Sequence, residues 1–137
     1  MDSLMQKKIS LDVYNLENYV YIDEKWITFI ICQVLQNSIK YLNKPEKVIK
    51  IHSENNKNNV VLVIEDNGEG ILDHDLPRVF EYGFTGTDRQ KQYSTGIGLY
   101  LCKKLCNKMN LDIKIESQYK KFTKVKIIFP KTNLYRQ

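Results

Sequence analysis

Four short segments of this 137-residue chain carry residue types that could do chemistry. In the first, Gln33, Asn37, Lys40 and Tyr41 stand at i, i+4, i+7 and i+8, which on a helix makes a single polar stripe. An amide, a cation and an aromatic along one edge suit a metal-bound anionic ligand, although a partly solvated helix face has the same pattern. The second, Glu65-Asp66-Asn67-Gly68-Glu69-Gly70, follows the apolar run Val61-Leu62-Val63-Ile64 directly. A carboxylate at the end of a buried strand must find hydrogen-bond donors, and glycines let a ligand approach the backbone closely. A purine amino group is one such donor; a plain Asn-Gly turn is the alternative. The third segment is Val79-Phe80-Glu81-Tyr82-Gly83-Phe84-Thr85-Gly86. Aromatics separated by glycines suit a hinged cover, or a surface loop packed on its own rings. The fourth, Ser94-Thr95-Gly96-Ile97-Gly98-Leu99, opens a helix. Small residues there leave backbone N–H groups free at the positive end of the helix dipole, where phosphates bind well.

The elements that must position these segments are legible from periodicity. Ile9, Leu11 and Val13 alternate with polar residues and predict a strand, and residues 19–22 are a second β-rich run. Asp23 offers an N-cap with Glu24 in the first turn. Ile27, Ile31, Val34, Leu35 and Leu42 then recur at helical spacing until Asn43-Lys44-Pro45 stops the helix. Residues 48–52 and 60–64 read as strands joined by a polar turn, hence an antiparallel hairpin. Residues 73–94 form a long, mostly polar stretch with one short helical possibility at 76–82, and so long a loop within one domain is commonly functional. A helix over 96–109 would bury Ile97, Leu101 and Leu105 and wet Lys103, Lys104, Asn107 and Lys108. Residues 112–116 and 123–129 close the chain as a strand pair. The layout is α+β: a two-layer sandwich whose mixed, mostly antiparallel sheet is packed on one face by helices.

Composition narrows the function classes. With 42% apolar and 27% charged residues, the chain has enough apolar material for one domain spanning 1–137 and is not disordered as a whole. No apolar run approaches the roughly 20 residues that cross a bilayer, and the start shows no secretory signal. The net charge of +5 comes from lysines scattered among acidic residues, so the chain lacks the basic stripe of a nucleic-acid binder; a small phosphate-bearing ligand suits the same field. Cys32, Cys102 and Cys106 are odd in number and have no CxxC spacing, which predicts reduced core residues. Cys102 and Cys106 lie one turn apart without a third ligand nearby. His52 and His74 have no neighbouring nucleophile or ligand set and are assigned no role.

Taken in order, the four segments resemble the motifs of the catalytic domain of bacterial sensor histidine kinases, within the wider group shared with gyrase, Hsp90-type chaperones and MutL-type repair ATPases. The resemblance extends from about Ile9 to Pro130. Gln33-Val34-Leu35-Gln36-Asn37-Ser38-Ile39-Lys40-Tyr41 resembles the asparagine box and Asp66-Asn67-Gly68-Glu69-Gly70 the first glycine box. Phe80 to Phe84 resembles the phenylalanine box, and Thr95-Gly96-Ile97-Gly98-Leu99 the second glycine box. Gln33 stands where many relatives have asparagine, and Ser94 replaces the first glycine of a common Gly-x-Gly-x-Gly form. The wording from Phe84 to Leu101 also resembles short-sensor kinases linked to cell-envelope stress and peptide-antibiotic resistance.

The resemblance implies a Bergerat-type fold, with residues 73–94 as an ATP lid. It implies ATP and Mg²⁺ as ligands, with Asn37 holding the metal, Lys40 reaching toward phosphate and Tyr41 lying against adenine. Asp66 would accept from the adenine amino group beside Gly68 and Gly70, and Thr95, Gly96, Gly98 and Leu99 would present the helix N-terminus to the phosphates. The reaction implied is transfer of the γ-phosphoryl group to a histidine on a separate dimerisation domain of the same parent protein, for relay to a response regulator. Neither His52 nor His74 opens a His-Glu helical segment, so the phosphoacceptor helices are expected elsewhere. The resemblance places this domain in the cytoplasm, without direct membrane contact, under a membrane-anchored parent. Two other readings stay open from the residues: a serine-phosphorylating relative of the anti-sigma type, and a module that dimerises on binding nucleotide.

Overall fold

A computed structural model describes residues 8–85 and 96–131. β1 (Ile9–Tyr14), β2 (Lys47–Asn55), β3 (Asn59–Asp66), β4 (Asp112–Gln118) and β5 (Phe122–Pro130) form one sheet in the order β1-β2-β3-β5-β4. β1 runs parallel to β2, with Ile9 opposite Lys47 and Tyr14 opposite His52; the other three pairings are antiparallel. The expected mixed, mostly antiparallel sheet is therefore present. Two helices, α1 (Glu24–Lys40) and α2 (Gly98–Lys108), pack on one face and touch each other.

The core lies between these layers. Ile30 and Val34 of α1 and Cys102 and Cys106 of α2 meet Ile49, Ile64, Ile113, Val125, Ile127 and Phe129 of the sheet. Each buried aliphatic side chain contributes roughly 1.5–3 kcal/mol relative to exposure. Alternation sends the intervening residues to the opposite face, where Lys126 pairs with Glu116 at 3.0 Å and Lys124 with Glu65 at 3.8 Å. Asp23 caps α1 as its residue type predicts, accepting from the Lys25 N–H at 2.9 Å.

The structure departs from the sequence reading in several places. Residues 19–22 form no strand: Val20 and Ile22 pack on the core while Tyr19 and Tyr21 face solvent, so their alternation serves packing without a pairing partner. Leu101 is exposed, and α2 buries Cys102 and Cys106 instead. The inward stripe thus falls one position later than expected, with Leu105 and Met109 at its margin. Cys32 is exposed, unlike the other two cysteines. The helical possibility at 76–82 shrinks to a 3-10 turn, Leu76–Arg78, with Pro77 in its first turn. α2 begins at Gly98 because Gly96 has φ +69°, a left-handed conformation that no right-handed helix contains.

Candidate functional site

The polar stripe on α1 faces a cavity of about 330 Å³. Gln33, Asn37, Lys40 and Tyr41 line it together with Asp66, Gly70, Gly96, Gly98 and Leu99. Gly68 lies behind the wall, where an added Cβ would stand 2.6 Å from the Tyr41 carbonyl oxygen. Thr95 and the later part of the expected lid, residues 86–94, fall outside the described residues.

The loop after β3 is tied down on three sides. The Asn67 side chain accepts from the Val48 N–H at 2.9 Å and donates to the Glu46 carbonyl at 2.7 Å, stapling the loop to β2. The Glu69 N–H donates to the Tyr41 carbonyl at 3.0 Å, joining the loop to the end of α1. On the third side, the Lys120 N–H donates to the Glu69 carbonyl, and the Ile71 N–H to the Ser117 hydroxyl at 2.8 Å. Gly70 sits at φ +75°, and a Cβ there would strike the Gln118 carbonyl and stand 2.9 Å from Tyr119 Cα. Only glycine meets both demands at low cost.

This anchoring holds Asp66 at the strand end, 5% exposed, with its Oδ1 accepting from the Gly68 N–H at 2.8 Å. Burial pushes its carboxyl up from 3.8 to about 6, with the neighbouring charge of Glu65 acting in the same direction. The Gly68 amide, the Ser38 hydroxyl and the Lys44 charge oppose that rise without cancelling it. A carboxylate kept short of donors in this way is a strong acceptor for one supplied from the cavity.

At the far end, Ile97 precedes α2 and offers no side-chain cap, leaving the first backbone N–H groups of the helix open. Gly96, also left-handed, packs so closely on Gly83 and Phe84 that a Cβ would stand 2.5 Å from the Gly83 carbonyl carbon; the Gly83 N–H donates to the Gly96 carbonyl at 3.1 Å. The phenylalanine-containing segment is thereby fastened to the helix entrance. Arg78 lies 4.4 Å over the Phe84 ring, and Lys103 lies 5.5 Å over that of Phe80. Gln33 reaches across from α1, its Oε1 2.6 Å from where a Gly98 Cβ would be.

Several lining residues were not anticipated. Ser38, Leu72, Asp75, Tyr119 and Thr123 all border the cavity. Ser38 did leave a signal, a hydroxyl at the register of Ile30 and Val34 on the apolar stripe. Tyr119 arrives from the turn between β4 and β5 and Thr123 from the start of β5, both more than 50 residues from Asp66, and only strand pairing brings them in: Thr123 lies opposite Asp66 in the sheet. Asp75 is a second buried carboxylate, with His74 Nε2 3.5 Å from its Oδ1.

The cavity lining therefore combines apolar walls from Ile71, Leu72, Val79, Ile115 and Val125 with the Asp66 acceptor, the Gln33 and Asn37 amides, Lys40 and the open helix N-terminus at Gly98. A flat heteroaromatic ring with an amino group and an anionic tail matches that combination.

Residues 22–133 match the family profile described as histidine kinase-, DNA gyrase B-, and HSP90-like ATPase. The sensor protein kinase GraS of Staphylococcus aureus strain JH1 is 40% identical over 129 residues, 93% of this chain but 37% of GraS. This chain thus spans little more than a third of the curated relatives it matches. Among solved structures, a mycobacterial sensor histidine kinase, MprB, superposes with a TM-score of 0.81 at 21% identity, covering 94% of this chain and 88% of that one. The Acinetobacter baumannii histidine kinase AdeS gives a TM-score of 0.74 at 26% identity, covering 94% and 57%. The nucleotide-free catalytic domain of the histidine kinase ThkA gives 0.77 at 22% identity, covering 95% and 85%.

Proposed function

Because this chain belongs to the histidine kinase-, DNA gyrase B- and HSP90-like ATPase family, we propose that it acts as the ATP-binding catalytic domain of a sensor histidine kinase, passing the γ-phosphoryl group to a histidine on a separate dimerisation domain of its parent. The observation that carries this reading is the convergence of Asn37, Asp66 and Gly98 on one cavity.

In this reading Asp66 accepts from the adenine amino group and Tyr41 lies against the base. The room the base needs comes from the close packing of Gly68 and Gly70 into the surrounding backbone. The open N-terminus of α2, at Gly96, Gly98 and Leu99, would take the phosphates through backbone N–H groups, with Thr95 just before them and Lys40 adding positive charge. The donor set also suits magnesium, a hard cation that favours oxygen ligands: the Asn37 amide oxygen would hold it, and the phosphates would complete its shell. When bound, magnesium neutralises phosphate charge as the γ-phosphoryl group leaves. Phosphoryl transfer depends chiefly on such positioning and charge neutralisation, so the protein needs no covalent nucleophile in this cavity.

The attacking imidazole would come from the partner domain. His52 stacks on Tyr14 on the sheet's outer face, with ring centroids 4.8 Å apart. The phosphohistidine would then be handed to a response regulator. Among the described residues no helix is long and apolar enough to cross a membrane; a membrane-anchored parent with this domain on its cytoplasmic side is part of the same proposal.

Calorimetric titration with ATP and Mg²⁺, followed by incubation with a separately made phosphoacceptor helix pair, tests the reading. ATP binding by the domain alone and an acid-labile phosphorylated product only in the mixture are expected. An acid-stable phosphoserine product, or no ATP binding, would overturn it.

A further inference from the structure

Ser117, Thr123 and Asp66 stand in one cross-strand row. Ser117 of β4 lies opposite Thr123 of β5, and Thr123 lies opposite Asp66 of β3. Directly opposed residues share a face of the sheet, and here it is the face that carries the cavity, which Thr123 and Asp66 both line. The hydroxyl protons of this row follow by elimination. Ser117 Oγ lies 2.7 Å from the Phe122 carbonyl oxygen. A carbonyl has no proton to give, so at that separation Ser117 must donate its only one. Two acceptor positions remain on Ser117. The Ile71 N–H takes one at 2.8 Å, and Thr123 Oγ1 stands 3.2 Å away at the other. With the Ser117 proton already committed, Thr123 is the donor in that pair. Ser117 is thereby saturated, and Thr123 has spent its proton within the sheet. Toward the cavity, the Thr123 hydroxyl can only accept.

We infer that Ser117 is a positioning residue for the choice of base: by fixing the Thr123 hydroxyl as an acceptor beside Asp66, it makes this wall favour a ring amino group and reject a ring carbonyl. The inference rests on the proposed nucleotide site and deepens it, from binding a purine triphosphate to selecting among purines. An amino group carries two hydrogens and can meet both acceptors, directly or through a water. A carbonyl carries none, and its lone pairs would face those of Asp66 and Thr123. Were the Thr123 proton free, the hydroxyl could turn and donate to a carbonyl, and this share of the discrimination would vanish. Ser117 acts through Thr123 and need not touch the nucleotide.

The test measures affinity for ATP and for inosine triphosphate, whose ring bears a carbonyl where ATP has its amino group, by calorimetry with Mg²⁺. The unaltered chain is compared with Ser117→Ala, Thr123→Val and the double variant. The unaltered chain is expected to prefer ATP. Ser117→Ala frees the Thr123 proton and should lower the ratio of the two affinities about tenfold, the worth of one mismatched hydrogen bond. Any loosening of the loop at Ile71 weakens both nucleotides and cancels in that ratio. Thr123→Val leaves the Ser117 bonds to Ile71 and Phe122 in place and should lower the ratio by a similar factor. Adding Ser117→Ala to Thr123→Val should change it no further. An unchanged ratio in either single variant overturns the proposal, as does a fall on Ser117→Ala that persists in the Thr123→Val background. If the unaltered chain binds both triphosphates equally, the amino-group recognition assigned to Asp66 fails as well. A preference for ATP that every variant keeps sinks only the role of Ser117 and Thr123.

Discussion

Replacing Asp66 by asparagine should make the nucleotide-free domain more stable while crippling its affinity for ATP. Raising the carboxyl from 3.8 to about 6 makes the ionised form about 3 kcal/mol costlier in the folded chain than in the unfolded one. Between those two values the folded chain holds a proton that the unfolded chain has lost, so this group's contribution to stability declines as pH rises from about 4 to about 6. Above that window the full penalty persists; below it both states are protonated and the penalty vanishes. Asparagine never ionises, and its amide oxygen can still accept from the Gly68 N–H. Some of the gain is lost to burying the amide, leaving about 1–2 kcal/mol, or about 3–8 °C in thermal midpoint for a domain of this size. The assay is thermal unfolding of both proteins without nucleotide from pH 4 to 8. The advantage of Asp66→Asn should be largest above pH 6 and disappear near pH 4. Equal or lower stability of the variant at pH 7.5, or an advantage unchanged at pH 4, would refute the reasoning. In the same variant, loss of a charged acceptor should weaken ATP binding about 10–100-fold.

Other perturbations separate the parts of the site from the scaffold. Asn37→Ala should abolish the magnesium-dependent share of ATP affinity, seen as equal binding with and without the metal, while leaving the thermal midpoint of the free domain within about 2 °C, since surface-accessible changes cost little. Gly70→Ala forces a side chain into a left-handed position and against the Gln118 backbone; it should cost about 1–3 kcal/mol in denaturant unfolding and weaken ATP binding as the loop shifts. Ile127→Ala, at a fully buried position between the layers, should cost about 2–5 kcal/mol and lower ATP affinity only through the loss of folded protein. ATP affinity of the unaltered domain should fall as pH drops below about 6, when Asp66 takes up its proton; calorimetry with a flat profile from pH 7.5 to 5.5 would count against its role.

Much of the architecture could be read from local pattern, because side-chain periodicity and backbone chemistry act over a few residues. The alternation in β2, the apolar run of β3, the Asp23 cap and the spacing of Ile27, Val34 and Leu35 each specify an element without reference to the rest of the chain. The motif-bearing residues Asn37, Asp66 and Gly98 were legible for the same reason: their chemistry shows in their immediate neighbours. The inward face of α2 was not. Leu101 and Cys102 are both apolar enough to be buried, and only the rotation imposed by packing against α1 and β4 turns Cys102 inward. Nor could residues 19–22 be told from a strand, since β-rich alternation becomes a strand only if another backbone is free to pair with it. Tyr119 and Thr123 reach the cavity through the register of β5 on β3, a contact between distant segments with no local trace.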